Sequence, residues 1–413
     1  MRFLYTFLLY LITPLVLLRL LWKSRLQPEY RHRVGERFGL VPTPPDGVAV
    51  WVHAVSVGES LAAMPLIEAL IRQHGVGRVW VTTTTPTGSA RVSEKLGGRA
   101  LHSYAPYDLP GAVSRFLGRA RPRQVVIMET ELWPNLFRAI RQRGIPLLLA
   151  NARLSPRSFR GYGRVQRSIA GVLADCSEVA AQSEADAQRF RALGAPRVSV
   201  MGNIKFDMAV PEEQLQRGRE LRQALGAGRR VWIAASTHEG EEQAALAAQA
   251  MLLRQLPDCA LILVPRHPQR FDEVAKLAER SGLCCARRSQ AAPDSRTQVY
   301  LGDSMGEMFA YLAAADLAFV GGSLVPVGGH NVLEPAALGL PVLFGPHMHN
   351  FVAARDLLLE RQAAIGIADA AELAPVLAAL FDDGARRAAM GAAGKAAVEA
   401  NRGALQRLLQ LLL

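Results

Sequence analysis

Cysteine is scarce in this chain of 413 residues: only Cys176, Cys259, Cys284 and Cys285 occur. Their spacing fits neither a disulfide framework nor a zinc site, which points to a reducing compartment with free thiols. The nine histidines contain no HExxH, and His347 and His349 form an isolated HxH that reads as structural. No residue is assigned to a metal. The chain also lacks GxxxxGK[ST] and GxGxxG, which disfavours ATP hydrolysis and dinucleotide redox chemistry. It has no zinc finger, basic zipper or aromatic RNP-like segment, and its basic residues are scattered, so no nucleic-acid partner is expected. Tandem short repeats and low-complexity tracts are missing too.

What is present is apolar and basic. Half of the residues are hydrophobic, enough for sizeable cores. The length predicts two or three domains rather than one. The net charge is +12, which favours an anionic partner: an anionic membrane face or an acidic substrate. The N-terminal run "FLYTFLLYLITPLVLLRLLW", Phe3 to Trp22, would rise about 30 Å as a helix, close to the hydrocarbon thickness of a bilayer. Lys23, Arg25, Arg31 and Arg33 follow it. By the positive-inside rule they hold the globular part on the cytoplasmic side of a membrane. No small-residue cleavage site follows, so residues 1–24 read as a retained anchor rather than a secretory signal. Pro14 leaves open whether the helix spans the bilayer or lies at its interface.

After the anchor, short apolar runs alternate with helical patterns, as in parallel sheets covered on both faces. The first set comprises 48–52, 79–83, 124–128, 147–150, 179–182 and 198–201. The second comprises 231–235, 260–264, 299–301, 317–320 and 342–344. Between them, the charged stretch 211–230 reads as a linker helix and turn. The predicted organisation is α/β: an N-terminal Rossmann-like domain over 25–210, the linker, and a second Rossmann-like domain over 231–413 with C-terminal helices. Ligands of such sheets bind beyond the carboxyl ends of the strands, so a cleft between the two domains is the expected site.

Several segments at strand ends carry chemistry. In "WVHAVSVGES", Glu59 follows a buried strand where a helix begins. Gly58 would permit a sharp turn there, and Pro65 raises the alternative that the regular helix starts later. "METELWPN" ends another strand with Glu129 and Glu131, two acids that are costly to bury unpaired. "GNIKFD" places Lys205 after the last strand of the first set. "NARLSPRSFRGY" carries Arg153, Arg157 and Arg160, suited to an acidic acceptor. In the second half, Ser236, Ser304 and Asn331 each stand three residues before a Glu, a capping-box spacing. Three helix starts facing one cleft would offer N–H groups to phosphate. Glycines in "FVGGSLVPVGGHN" would let backbone approach a ligand. Arg266, just past a strand end, suits a phosphate or carboxylate.

These segments, together with "RHRVGERFG", "TTTTPTG", "YAPYDLP", "VPRHPQRF", "GDSMGEM" and "GGHNVLEP", occur in one order across nearly the whole chain. Together they resemble the 3-deoxy-D-manno-octulosonic acid (Kdo) transferases of lipopolysaccharide synthesis. The resemblance implies a GT-B glycosyltransferase: two Rossmann-like domains facing a cleft and an N-terminal anchor at the cytoplasmic face of the inner membrane. It implies CMP-Kdo as donor, a lipid A precursor as acceptor, and neither cofactor nor metal. It places a catalytic Glu on Glu59, a second acid on Glu129 rather than Glu131, and a stabilising lysine on Lys205. It places CMP contacts on Pro265 and Arg266, on Met305, Gly306 and Glu307, and on Asn331, Val332, Leu333 and Glu334. Pro156 in the arginine loop and Met308 after "MGE" depart from the family pattern. Two other readings stay open: a GT-B nucleotide-sugar 2-epimerase, and a non-catalytic lipid- or nucleotide-binding module.

Overall fold

The computed structural model describes residues 2–25 and 27–412; Met1, Leu26 and Leu413, at or within the predicted domain limits, lie outside the described residues. The chain divides into two compact units. One runs up to Asp207 and includes the segment from Arg402 onward; the other runs from Met208 to Asn401.

The first unit holds a seven-stranded sheet ordered β3-β2-β1-β4-β5-β6-β7. Its strands are β1 (Val48–His53), β2 (Val79–Thr83), β3 (Leu101–Tyr104), β4 (Pro122–Met128), β5 (Leu147–Ala152), β6 (Glu178–Ala181) and β7 (Val198–Val200). Every pairing is parallel, with Trp51 opposite Trp80 and Val125. β1 is buried throughout, as its unbroken apolar run requires when helices cover both faces. Trp51 and Trp80 are fully buried, and their indole N–H groups donate to Thr82 Oγ1 and Ser103 Oγ at 2.9 and 3.0 Å. Buried indoles need such partners, and here the sheet supplies them.

The second unit repeats the plan: a parallel seven-stranded sheet ordered β10-β11-β9-β8-β12-β13-β14. Its strands are β8 (Val231–Thr237), β9 (Ala260–Pro265), β10 (Cys285–Arg287), β11 (Val299–Leu301), β12 (Leu317–Val320), β13 (Val342–Phe344) and β14 (Ala364–Gly366). In each sheet the strand order reverses beside the first strand, between β1 and β4 and between β8 and β12. Crossovers depart in opposite directions there, so the loops beyond the strand ends separate and leave a crevice.

Two predicted boundaries move. The stretch 211–230 is no linker: helix Glu212–Leu225 belongs to the second unit and packs on helix Met308–Ala313. A Cβ added at Gly218 would stand 2.5 Å from Ala313 Cβ, which shows how closely the two helices approach. The last helix, Ala404–Gln410, belongs to the first unit instead of the second. Ala404 and Leu408 join the core formed with Ala63, Leu66 and Ile67, and Gly403 N donates to Asp207 Oδ1 at 2.6 Å. The N-terminal run is helical from Arg2 to Lys23 and continues through Pro14, with no residue of it fully buried. By length and composition it could cross a membrane.

Candidate active site

The β1 run ends at His53, and a helix spans Val57–His74 directly after it. Ser56 is its N-cap and accepts from Glu59 N at 3.2 Å. Glu59 therefore sits in the first turn. Its Oε2 reaches back to accept from Val55 N at 2.8 Å. The helix runs straight through Pro65, so the later start that this proline suggested is not what forms. Gly58 makes no left-handed turn either. A Cβ there would meet only Ser56 Oγ, at 3.8 Å, so it is the Ser56 cap that sets the entry to this helix.

Glu59 is half-buried and makes no ion pair among the described residues. Burial pushes its carboxyl above the ordinary value; the bond from Val55 N opposes this, and the negative charges of Glu129 and Glu131 add to it. Glu129 and Glu131 thus both lie near enough to disfavour the charge of Glu59. Glu129 follows β4, the strand next to β1, at φ +57°, a left-handed conformation that non-glycine residues seldom adopt. Its N–H donates to Ala150 O at 2.8 Å, and its Oε1 lies 3.9 Å from Lys205 Nζ. Glu131 turns elsewhere and accepts from Trp133 Nε1 at 2.8 Å. Of the two acids in "METELWPN", then, Glu129 meets Lys205 and Glu131 holds an indole.

In the second unit the assigned residues follow the carboxyl ends of neighbouring strands. Arg266 follows β9; Met305, Gly306 and Glu307 follow β11; Asn331 and Val332 end the loop after β12, and Leu333 and Glu334 begin the helix that follows it. Pro265 is buried as the last residue of β9. Asn331 Nδ2 donates to Glu334 Oε1 at 3.0 Å, and its Oδ1 accepts from Leu333 N. Val332 and Leu333 are buried. Met305 is exposed, and Gly306 has open space around its α-carbon.

A model of the 3-deoxy-D-manno-octulosonic-acid transferase (kdotransferase) family matches residues 32–208. The 3-deoxy-D-manno-octulosonic acid transferase of Haemophilus influenzae is 42% identical over 421 residues, covering 100% of this chain and 98% of that protein. The chain belongs to the Kdo transferase family. Solved structures show its fold. A glycosyltransferase from Rickettsia africae aligns with a TM-score of 0.56 at 12% identity, covering 88% of this chain and 98% of that one. A UDP-GlcNAc 2-epimerase from Neisseria meningitidis, bound to UDP-GlcNAc, aligns equally well at 13% identity, covering 88% and 99%. The GT-B-like fold is shared by enzymes of different chemistry, so the reaction has to be read from the residues.

In this transferase the three capping-box spacings of the second half do not become capping boxes. Helix Glu241–Leu253 takes Gly240 as its N-cap, not Ser236. Ser304 Oγ donates to the Glu307 carboxylate, and Glu307 itself is the N-cap of helix Met308–Ala313. Val332 caps helix Leu333–Ala337. Those last two helices hold six and five residues, too short for the strong N-terminal dipoles anticipated. Glu307 is instead an ion-pair centre: Arg288 and Arg217 approach its Oε1 at 3.2 and 3.4 Å. Burial alone would raise its carboxyl, but hydrogen bonds from Ser304 and Arg288 and the Arg288 charge prevail and hold it below the ordinary range.

The glycine-rich loop also serves the protein's own packing. A Cβ at Gly321 would lie 2.6 Å from Ser236 O, and one at Gly329 would lie 2.3 Å from Met348 Sδ.

Sequence reasoning missed two groups. Asn151, buried near the end of β5 at φ +53°, accepts from Ile204 N at 3.1 Å and so fixes the segment carrying Lys205. Gln182 donates to Asn151 O and accepts from Asn203 Nδ2, closing that network. The other group is a histidine pair. His238 Nε2 and His330 Nε2 meet at 2.8 Å, with rings stacked at 5.0 Å and His267 edge-on to His238. Burial, then the charge of Arg266, pushes His330 down to about 3, so its ring is neutral and its neighbour Arg266 is the local cation. "STHEGEE" and "GGHN" carry both histidines, but nothing in either segment announces the pairing.

Proposed function

We propose that this transferase moves Kdo from CMP-Kdo to a lipid A precursor, lipid IVA, with inversion at the anomeric carbon and without a metal ion, at the cytoplasmic face of the inner membrane. The observation that carries the mechanism is Glu59. It is a half-buried carboxylate at the crevice of its sheet, with a raised pKa and, among the described residues, one N–H donor and no ion pair. Its ionised form is a stronger base than an exposed glutamate, and proton transfer by such a group contributes roughly 10²–10⁴ in rate.

In the proposed step a hydroxyl of the acceptor gives its proton to Glu59. The oxygen's electron pair forms the new bond to the anomeric carbon as the bond to the CMP phosphate breaks. The leaving phosphate takes that electron pair as negative charge. Arg266 is the proposed donor to CMP, acting as a preorganised electrostatic group, with Val332 and Leu333 shaping the backbone beside the nucleotide. Asn331 and Glu334 would hold ribose hydroxyls, and Met305, Gly306 and Glu307 would border the nucleotide. Lys205 fixes Glu129, which would stand beside the sugar as positive charge develops in its ring. The +12 net charge suits a phosphorylated lipid acceptor in an anionic membrane.

The test is incubation of the purified full chain with CMP-Kdo and lipid IVA, with products separated by mass. A Kdo-bearing lipid and free CMP are expected. An isomerised sugar without lipid product, or no turnover, would overturn the proposal.

A further inference from the structure

We infer that the N-terminal helix lies in the plane of the membrane surface, with both of its ends on the side of the globular unit, and does not cross the bilayer. This deepens the membrane placement proposed above and rests on it.

The start of the helix is tied to the body. Tyr5 Oη donates to Asp108 Oδ2 at 3.0 Å, and Thr6 Oγ1 donates to Asn135 Oδ1 at 3.1 Å. Both partners are buried in the first unit, at the N-terminus of helix Pro134–Gln142, where Asp108 also accepts from Asn135 N and Leu136 N. Along a helix, Tyr5 and Lys23 stand about 27 Å apart, nearly the thickness of the hydrocarbon core. A helix standing across the bilayer would carry Tyr5 to the far headgroups. Asp108 and Asn135 would have to follow it, and they belong to a folded sheet domain whose chain resumes directly after Lys23. The two ends therefore share one side.

The helix is two-sided along its whole length. Tyr5, Leu9, Thr13, Val16 and Leu20, at helical spacing, are half-buried. The opposite face exposes Phe7, Leu11, Leu15, Leu18 and Trp22 at 57–64%. One face thus leans on the protein and the other is a continuous apolar ridge in need of cover. Helices set this way sink about 5–10 Å into the headgroup and acyl boundary.

The neighbouring surface supplies matching charge. Helix Pro134–Gln142 touches the N-terminal helix, helix Gln166–Leu173 touches Pro134–Gln142, and helix Pro156–Gly163 touches Gln166–Leu173. This run exposes Arg138, Arg157, Arg160 and Arg164, none in an ion pair among the described residues. An apolar ridge, together with unpaired arginines on the run of helices that starts beside it, fits the surface of an anionic phospholipid bilayer.

The test is sidedness. The full chain carries an epitope ahead of its first residue and is expressed in a Gram-negative host. Protease is added to intact spheroplasts and, separately, to inside-out vesicles. The epitope is expected to survive in spheroplasts and to be lost in vesicles. Loss in spheroplasts, or survival in vesicles, overturns the in-plane helix. Kdo transfer measured in the same vesicles reports the proposed reaction separately. Transfer with an outward epitope counts against the helix placement alone, and no transfer with an inward epitope counts against the reaction alone.

Discussion

Glu59 and Glu241 hold the same place in two copies of one plan. Each lies in the first turn of the helix that follows the first strand of its sheet, at the point where strand order reverses. Their surroundings differ. Glu241 is 1% exposed, and its carboxylate accepts from four backbone N–H groups, those of His238, Gly322, Ser323 and Leu324, at 2.7–3.0 Å. It ties the glycine-rich loop after β12 to the helix after β8. Glu59 is half-buried, accepts one such bond, and faces two other acids. A first-turn carboxylate can thus finish a structure or be left with basicity to use. What decides is how many donors the fold turns toward it.

That contrast can be broken in several ways. Glu59→Gln is expected to lower transfer by roughly 10²–10⁴ while the urea-unfolding midpoint and CMP binding by calorimetry stay as in the parent. A stability loss of about 3 kcal/mol or more in Glu59→Gln would make Glu59 a second Glu241. Conversely, Glu241→Ala strands four buried donors and should cost about 3–5 kcal/mol in urea unfolding. A cost below about 1 kcal/mol would show that the loop does not depend on that carboxylate.

The glycines sharpen the same comparison. Gly321→Ala would drive a Cβ to 2.6 Å from Ser236 O and should destabilise by about 1–3 kcal/mol. Gly58→Ala, in a helical conformation with nothing nearer than 3.8 Å, should leave stability unchanged or raise it by up to about 1 kcal/mol. Thermal denaturation of the two variants side by side reads the difference. The cap falls between the two glycines: Ser56→Ala should cost about 1 kcal/mol by the same measurement.

The central strands were legible because both their faces are buried, so they appear as unbroken apolar runs. Three strands were missed for a physical reason. β3 reads "LHSY", with polar residues bonded inside the sheet, and β10 and β14 are three-residue edge strands. The last helix shows how far periodicity reaches. "ALQRLLQ" declares one apolar face, but not that the face would close on the first unit rather than the second. Strand ends pointed to the candidates Glu59, Glu129, Lys205 and Arg266, and the structure brings Glu129 to Lys205. The His238–His330 pair and the Asn151 network join segments far apart in sequence, and no local pattern encodes such a meeting. The capping-box spacings misled because Ser304 and Asn331 spend their side chains on the very glutamates that the motif would send back to the N-cap N–H.

The most direct measurement is the pH dependence of kcat/KM for transfer, which reports ionisations of the free enzyme. A base must be ionised to act, so the rate should rise with pH through the raised pKa of Glu59, with a half-point above 4.5. Glu131→Gln removes one of the repelling charges and should move that limb to lower pH; Glu59→Gln should remove it. A limb that Glu131→Gln leaves in place and that persists in Glu59→Gln would contradict the assignment of Glu59 as the base.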